Sequence, residues 1–479
     1  MTLSGRILSV SIAAITSHLL SPTSSADLLG YWPVTENSGA VTVNSVPNGT
    51  DGNLVGNVGF FNDPQRGEVL QFFGSGGYVD AGFVPQQTLT TDFTWSFWAM
   101  NETDITATPQ SANVLIVGNR YAQPTNVDFV PREFTKFTPT KLEYHRNGTS
   151  EAAEYPDLTL TSPWTHLSAV KQGNRITTYR NGLVQDIRRI TAGQNNSMPL
   201  YFGGNGALES WTGKADDVAV WDEALPARSI TQLATGAGTP VNVTKDVTLQ
   251  TTFTDDFSSG LGNWTLTNRG LEGNEPAGYN PQTTVNEQLV LSGTAQAQYW
   301  RGSSVESARF SSEVETMITV DRVSLSGAGI FRSSLWVLGD NSHYLHLSQN
   351  VGEGGWTWNA NDVGGVGTLN PTGGGNNLVA LDAFDNSLGL HKLGIHLVPT
   401  GVPGEVNMFM YFDDELVGGR GFSAFPDEFS LVLTGQARAI NDSVNAVFDN
   451  VTVLQVPEPS TTGLLLFGAL AFGSRRRSR

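Results

Sequence analysis

At 479 residues the chain is too long for one ordinary core and long enough for two. Its formal net charge of −18 excludes nucleic acid and anionic lipid as partners of the body, which repels both. The lack of cysteine excludes disulfide staples and thiol chemistry, so core burial must carry the stability.

Residues 1–26 read as a secretory signal: Arg6 precedes an apolar region from Ile7 to Leu20, and Ser24 and Ala26 fit cleavage after Ala26. Over 27–238 short alternating runs are punctuated by Gly, Asn, Asp and Pro with almost no helical periodicity, which predicts an all-β sandwich. Its clearest strand is Phe93 to Trp98, with Phe93, Trp95 and Phe97 on one face and Thr94, Ser96 and Trp98 on the other. Trp164 to Val170 repeats that logic. Asn181-Gly182, after a strand from Arg175 to Arg180, is a strong hairpin signal. Pro226 to Leu233 reads as a short helix.

A Thr/Val-rich connector without an aromatic, residues 239–250, separates this part from a second sandwich over 251–455. Its expected strands are Ser311 to Val320, Ala328 to Leu338, His343 to Ser348, His391 to Val398 and Val406 to Phe412. A glycine-rich loop is expected from Val351 to Asn377, longer than a sandwich turn needs. The tail, 456–479, sets Pro457, Glu458 and Pro459 before an apolar run from Gly463 to Gly473, followed by Arg475, Arg476 and Arg477. Such a run suits lipid and the arginines suit the cytoplasmic side. It is short for a spanning helix, which needs about 20 residues, so a short hydrophobic helix that stops only transiently in a membrane is expected.

These stretches carry two resemblances. The tail resembles the bacterial PEP-CTERM sorting signal. That likeness implies transient arrest in the inner membrane, processing by an exosortase near Pro457-Glu458-Pro459, and delivery to the cell surface or extracellular matrix of a Gram-negative-type bacterium. Gly30-Tyr-Trp32, Val69 to Val79, Phe93 to Trp98, Trp164-Thr-His166, Tyr179 to Gly182 and Trp211 to Trp221 with Asp222 to Leu225 together resemble a laminin-G-like module. That module belongs to the concanavalin A-like superfamily. Phe253 to Phe257 and Ala446 to Val453 resemble the opening and close of another such jelly roll. The fold class implied is all-β: two tandem antiparallel jelly-roll sandwiches.

Several residues are candidates for chemistry. Asp255 and Asp256 open the second sandwich while Asp449 and Asn450 lie on its last strand, and first and last strands of jelly rolls are usually neighbours. Hard oxygen ligands gathered there suit a structural Ca²⁺, though Asp449-Asn450 equally suits a turn or an edge cap. Asp216 holds the corresponding place in the first sandwich. Strand alternation turns only one of Asp216 and Asp217 inward. Glu313 and Glu315 share one face of an expected strand, but a third acid is missing, and no catalytic residue is assigned. His343 and His346 face opposite ways, as do His391 and His396, so no zinc site is implied. Trp211, Trp221, Trp356 and Trp358 are the candidates for stacking on sugars, with Trp356 and Trp358 able to form one aromatic platform unless they are core.

The expectation is an exported, non-enzymatic carbohydrate-binding or adhesive protein, its partner an extracellular polysaccharide or glycoprotein. The alternatives are a glycoside hydrolase or lyase acting on that polysaccharide, and a purely structural matrix protein.

Overall fold

A computed structural model describes residues 28–457 apart from 75, 84–91, 104–112, 119–120, 123–126, 129–132, 139–140, 147–148, 155–163, 190–198, 205–208, 268–278, 354, 363–378 and 381–384. The secretory signal and the sorting tail from Glu458 onward, with Arg475, Arg476 and Arg477, lie outside the described residues. Among the described residues the fold is antiparallel β with a single helix, Ala227–Thr235, and no helix is long and apolar enough to cross a membrane.

Four large sheets form two sandwiches. In the first sheet the order across the strands is Leu183–Arg189, Arg175–Arg180, Thr165–Gln172, Phe93–Asn101, Trp211–Trp221, Gly67–Gly74, Val58–Asp63, with Leu28–Trp32 also paired to Trp211–Trp221. Alternation in Phe93–Asn101 sends Phe93, Trp95, Phe97 and Ala99 into the core shared with the facing sheet, where Leu115, Val117, Phe137 and Phe202 meet them. Each Phe, Leu or Val among them contributes about 1.5–3 kcal/mol by leaving water. Asn181 at φ 52° and Gly182 at φ 84° make the tight turn that the sequence predicts between Arg175–Arg180 and Leu183–Arg189.

The second sandwich is built from strands between residues 250 and 455. In its first sheet the long strand Ser443–Gln455 is flanked by Leu289–Thr294 and Gln250–Asp255 on one side and Thr316–Ala328 on the other. The first and last strands are therefore neighbours. Its second sheet runs Trp264–Thr267, Arg301–Ser311, Glu428–Ala437, Phe331–Asp340, His343–Val351, Gly355–Asp362, Val379–Ala380. Two expectations are corrected here. Glu313 and Glu315 lie between the strands Arg301–Ser311 and Thr316–Ala328, not along one strand. Trp356 and Trp358 belong to the strand Gly355–Asp362, not to a loop; the remainder of the expected loop from residue 363 lies outside the described residues.

The sandwiches meet through an apolar cluster that includes Tyr179, Val184, Leu225 and Ile230 from the first and Val398 and Phe409 from the second. The helix supplies Ile230 and Leu233 to this layer and ends at Gly236, whose φ of 72° suits only a residue without Cβ strain. Asn407 is fully buried and spans the junction: its Oδ1 accepts from Val184 N–H and its Nδ2 donates to the Gly182 carbonyl, both at 2.8 Å. Gly421 allows that approach, because a Cβ there would stand 2.8 Å from the Val184 carbonyl oxygen.

Candidate functional site

The outward face of the first sheet carries a charged cluster. A bulge in Trp211–Trp221, with Asp217 at φ 49°, breaks the alternation between Asp216 and Ala219. Both carboxylates consequently reach one guanidinium: Arg66 Nε lies 2.6 Å from Asp216 and Nη2 lies 2.5 Å from Asp217. That overturns the expectation that only one of the two points to this side. Arg66 lies over Trp98 at 4.2 Å and Trp164 at 5.4 Å, and the Tyr31 hydroxyl donates to Asp217 at 2.7 Å. Beside them Lys214 bridges Asp63 at 2.8 Å and Glu102 at 3.2 Å.

Burial pushes the Asp216 carboxyl up to about 7, with the charge of Asp217 adding and Arg66 opposing. Burial also pushes Asp63 upward, but hydrogen bonds from Lys214, Gln65 N–H and Trp164 outweigh it and hold the group below its usual value. Deeper on the same face His166, held down to about 3 by burial and by the charge of Arg66, shares a 2.8 Å hydrogen bond with Ser96. Arg66 is the cation that faces Asp216. Anion answers cation throughout the cluster, which makes it a clamp across strands.

The acidic positions of the second sandwich are likewise engaged. Asp255 accepts from Phe257 N–H at 2.7 Å, Trp264 Nε1 at 2.9 Å and Asn263 at 3.1 Å. Asp256 is exposed and caps Ser258. Asp449 accepts from Asn450 N–H and Gln288, while Asn450, at φ 50°, donates to Asp321 at 2.9 Å. No group of three or more His, Cys, Asp or Glu side chains poised for a metal occurs among the described residues.

The second sheet of the second sandwich has a different outer face. Leu335, Val337, Leu345, Leu347, Leu431 and Leu433 point into the core, so their alternates share the opposite side. Strand register aligns those alternates in rows. One row is small and hydroxylic: Thr267, Ser304, Thr434, Ser334, Ser348 and Thr357, one from each of six neighbouring strands. On one side of it run Glu306, Val432, Trp336, His346 and Asn359; on the other, Gln436, Arg332 and Asn350. Same-face rows lie two residues, about 7 Å, apart. The small side chains thus lie as a floor between two walls, and at their centre floor and walls alike are buried, with Ser334, Ser348, His346 and Gln436 at 0% exposure and Trp336 at 7%.

In the first wall Trp336 meets His346 in a tilted contact with centroids 4.0 Å apart and meets Tyr344 at 5.1 Å. In the second, Arg332 donates to Gln436 at 2.7 Å and lies 4.1 Å from the ring of Trp300. Floor hydroxyls pair in part: Ser334 with Ser348 at 2.5 Å, Thr267 with Ser304 at 2.8 Å, and Thr357 with Asn350 Nδ2 at 2.7 Å. Trp336 Nε1, both ring nitrogens of His346, Thr434 Oγ1 and Asn350 Oδ1 are buried without a partner among the described residues. Burial, and then the charge of Arg332, hold His346 well below its ordinary value, so the ring is neutral and offers one donor and one acceptor.

Of the tryptophans singled out in the sequence, Trp211, Trp221 and Trp356 are buried in the cores, and Trp358 packs against one. Trp356 and Trp358 do share a face, but it is the inward one: Trp356 meets Phe412 at 4.6 Å and donates to the Asp385 carbonyl. Trp336 went unnoticed in the sequence, and His346 was weighed there only as a zinc ligand. The signal available for Trp336 is its place on the polar side of Phe-Arg-Ser-Ser-Leu-Trp-Val, opposite Leu335 and Val337. Glu315 is ion-paired to Arg228 and hydrogen-bonded to His396 at 2.9 Å, so it does not act with Glu313 as a free carboxylate pair.

Residues 73–231 match the family model of the concanavalin A-like lectin/glucanases superfamily of laminin-G type, and residues 455–477 match the PEP-CTERM protein-sorting motif. No curated protein matches the chain. Among solved structures it is similar to domain 4 of AbnA, an extracellular arabinanase from Geobacillus stearothermophilus in complex with arabinotriose. There the identity is 16%, the TM-score 0.33, and the coverage 44% of this chain and 98% of that one. It is also similar to a Trypanosoma rangeli sialidase, at 16% identity and a TM-score of 0.32, covering 43% of this chain and 32% of the sialidase. The sorting motif marks a protein that is exported, handled at the membrane and processed by an exosortase-type enzyme. The chain is thus an exported protein of tandem jelly-roll sandwiches, with a concanavalin A-like domain at 73–231 and a PEP-CTERM sorting motif at 455–477.

Proposed function

We propose that the protein is a non-enzymatic binder of extracellular polysaccharide at the cell surface or in the matrix. The observation that carries this reading is the match of residues 73–231 to the concanavalin A-like lectin/glucanases superfamily in a chain that also carries a PEP-CTERM sorting motif at 455–477. Hydrolysis of a glycan takes two carboxyl groups, whereas Glu306 is the one carboxylate in the rows described, and Ser430 donates to it at 2.6 Å.

The test is affinity electrophoresis of the purified exported chain in mixed-linkage β-glucan, galactomannan, soluble starch, alginate and polygalacturonate, with and without calcium. Retardation by a neutral polysaccharide is expected. Equal mobility in every gel would sink the proposal.

A further inference from the structure

We infer that Ser387, His391 and Asp413 form an acyl-accepting site, in which Ser387 Oγ takes the acyl group of a carboxylic ester; this goes beyond glycan binding and does not rest on it. His391 Nδ1 lies 2.9 Å from Asp413 Oδ2, and Nε2 of the same ring lies 3.0 Å from Ser387 Oγ. A carboxylate on one ring nitrogen and a hydroxyl on the other is the arrangement that activates a serine. The carboxylate can only accept, so Nδ1 carries the proton and Nε2 is left to accept from the hydroxyl. The Ser387 carbonyl oxygen is also 3.2 Å from Nε2, but it has donors of its own in Arg322 Nη2 and Gln349 Nε2, each at 3.2 Å.

Local folding holds each member in place. Asp413, at φ 48°, and Asp414, at φ 67°, make the two-residue turn between the strands Val406–Phe412 and Glu415–Phe422. Asp413 Oδ1 accepts from Lys392 N–H at 2.8 Å, which leaves Oδ2 for the ring. The ring is buried, with Phe412 at 4.7 Å and Trp356 at 5.7 Å. Ser387 N–H donates to Asp385 at 2.8 Å and Leu325 N–H to the Leu388 carbonyl at 2.9 Å, so the loop is tied down while Ser387 stays exposed. A buried base beneath an exposed hydroxyl admits a reagent from solvent. The N–H groups of Leu388 and Gly389, next after the serine, make no hydrogen bond among the described residues and are open to an oxyanion. Leu388 and Leu390 are 38% and 66% exposed beside it, which suits the ester of an apolar acid. In the step, Oγ bonds to the ester carbonyl carbon as its proton passes to Nε2. The carbon–alkoxide bond then breaks and the alkoxide takes that proton, leaving an acyl-serine and a free alcohol. One acylation per chain modifies the binder and turns nothing over.

The full exported chain would be treated with diisopropyl fluorophosphate and, separately, with p-nitrophenyl butyrate, and the modified residue mapped by peptide mass spectrometry. Label on Ser387 and a burst of about one nitrophenolate per chain are expected. Ser387→Ala should lose both yet melt as the native chain does, because the hydroxyl is exposed. Asp413→Asn keeps a residue that accepts this turn and should slow acylation about 100-fold. The native chain unfolded in guanidinium should take no label on Ser387, since reactivity needs the three groups assembled; this comparison stands whether or not the variants fold. Native chain that carries no label on Ser387 would overturn the proposal. So would labelling of the unfolded chain, or of Asp413→Asn, at the native rate, because the three side chains would then serve only to tie the loop to the hairpin.

Discussion

Asp216 shows how one backbone irregularity changes the chemistry of a side chain. Without the bulge, Asp216 and Asp217 would face opposite ways; with it, both meet Arg66, and burial raises Asp216 from 3.8 to about 7. A carboxyl whose folded value exceeds its unfolded one holds more protons folded than unfolded between those values. Its contribution therefore favours the fold in acid and is lost as pH rises from 3.8 to about 7. Asp216→Asn removes this dependence while leaving Arg66 its pair with Asp217. Relative to the native chain, the variant should gain about 1–3 kcal/mol between pH 5 and 8. Melting curves of both proteins across that range check it, and parallel curves would show that Asp216 ionises freely.

At the scale of strands, the sequence announces what is local and conceals what is pairwise. Alternation in Phe93–Asn101 and the Asn181-Gly182 turn could be read directly, because period and turn chemistry belong to a few consecutive residues. The helix after Pro226 and the pairing of first and last strands in the second sandwich were legible for similar reasons. The row Thr267, Ser304, Thr434, Ser334, Ser348, Thr357 was not: it exists only once six strands are placed side by side in register. Trp356 and Trp358 were legible as sharing a side, but not which side, since glycines nearby suggested a loop where the chain makes a strand. The hairpin itself supports a prediction. Gly182 stands at φ 84°, and a Cβ there would lie 3.3 Å from that of Ala234 on the helix. Gly182→Ala should cost about 1–2 kcal/mol, mostly as backbone strain, seen as a lower denaturation midpoint with an unchanged slope.

Across the whole molecule the two sandwiches are joined by core-like packing rather than by a tether alone. Val398 and Phe409 enter the cluster around Tyr179, Val184 and Ile230, Asn407 answers both Val184 N–H and the Gly182 carbonyl, and Arg228 with His396 holds Glu315. Such a junction makes unfolding of one half expose apolar surface of the other, so the exported chain should melt in one calorimetric transition. Asn407→Ala leaves a buried donor and acceptor unmet and should cost about 2–4 kcal/mol; combined with Phe409→Ala it should split the transition in two. Acid should do the same by a separate route. Burial, and then the charge of Arg228, lower His396 from 6.5 to about 4. Between those values the unfolded chain holds more protons, so stability falls as pH drops from 6.5 toward 4. With about a fifth of that side chain exposed, the loss should be roughly 1–2 kcal/mol. His396→Gln keeps a donor toward Glu315 and should remove most of that acid sensitivity. Two transitions in the native chain at pH 7 would show that the junction does not couple the sandwiches, and an unchanged acid response in His396→Gln would assign the sensitivity elsewhere.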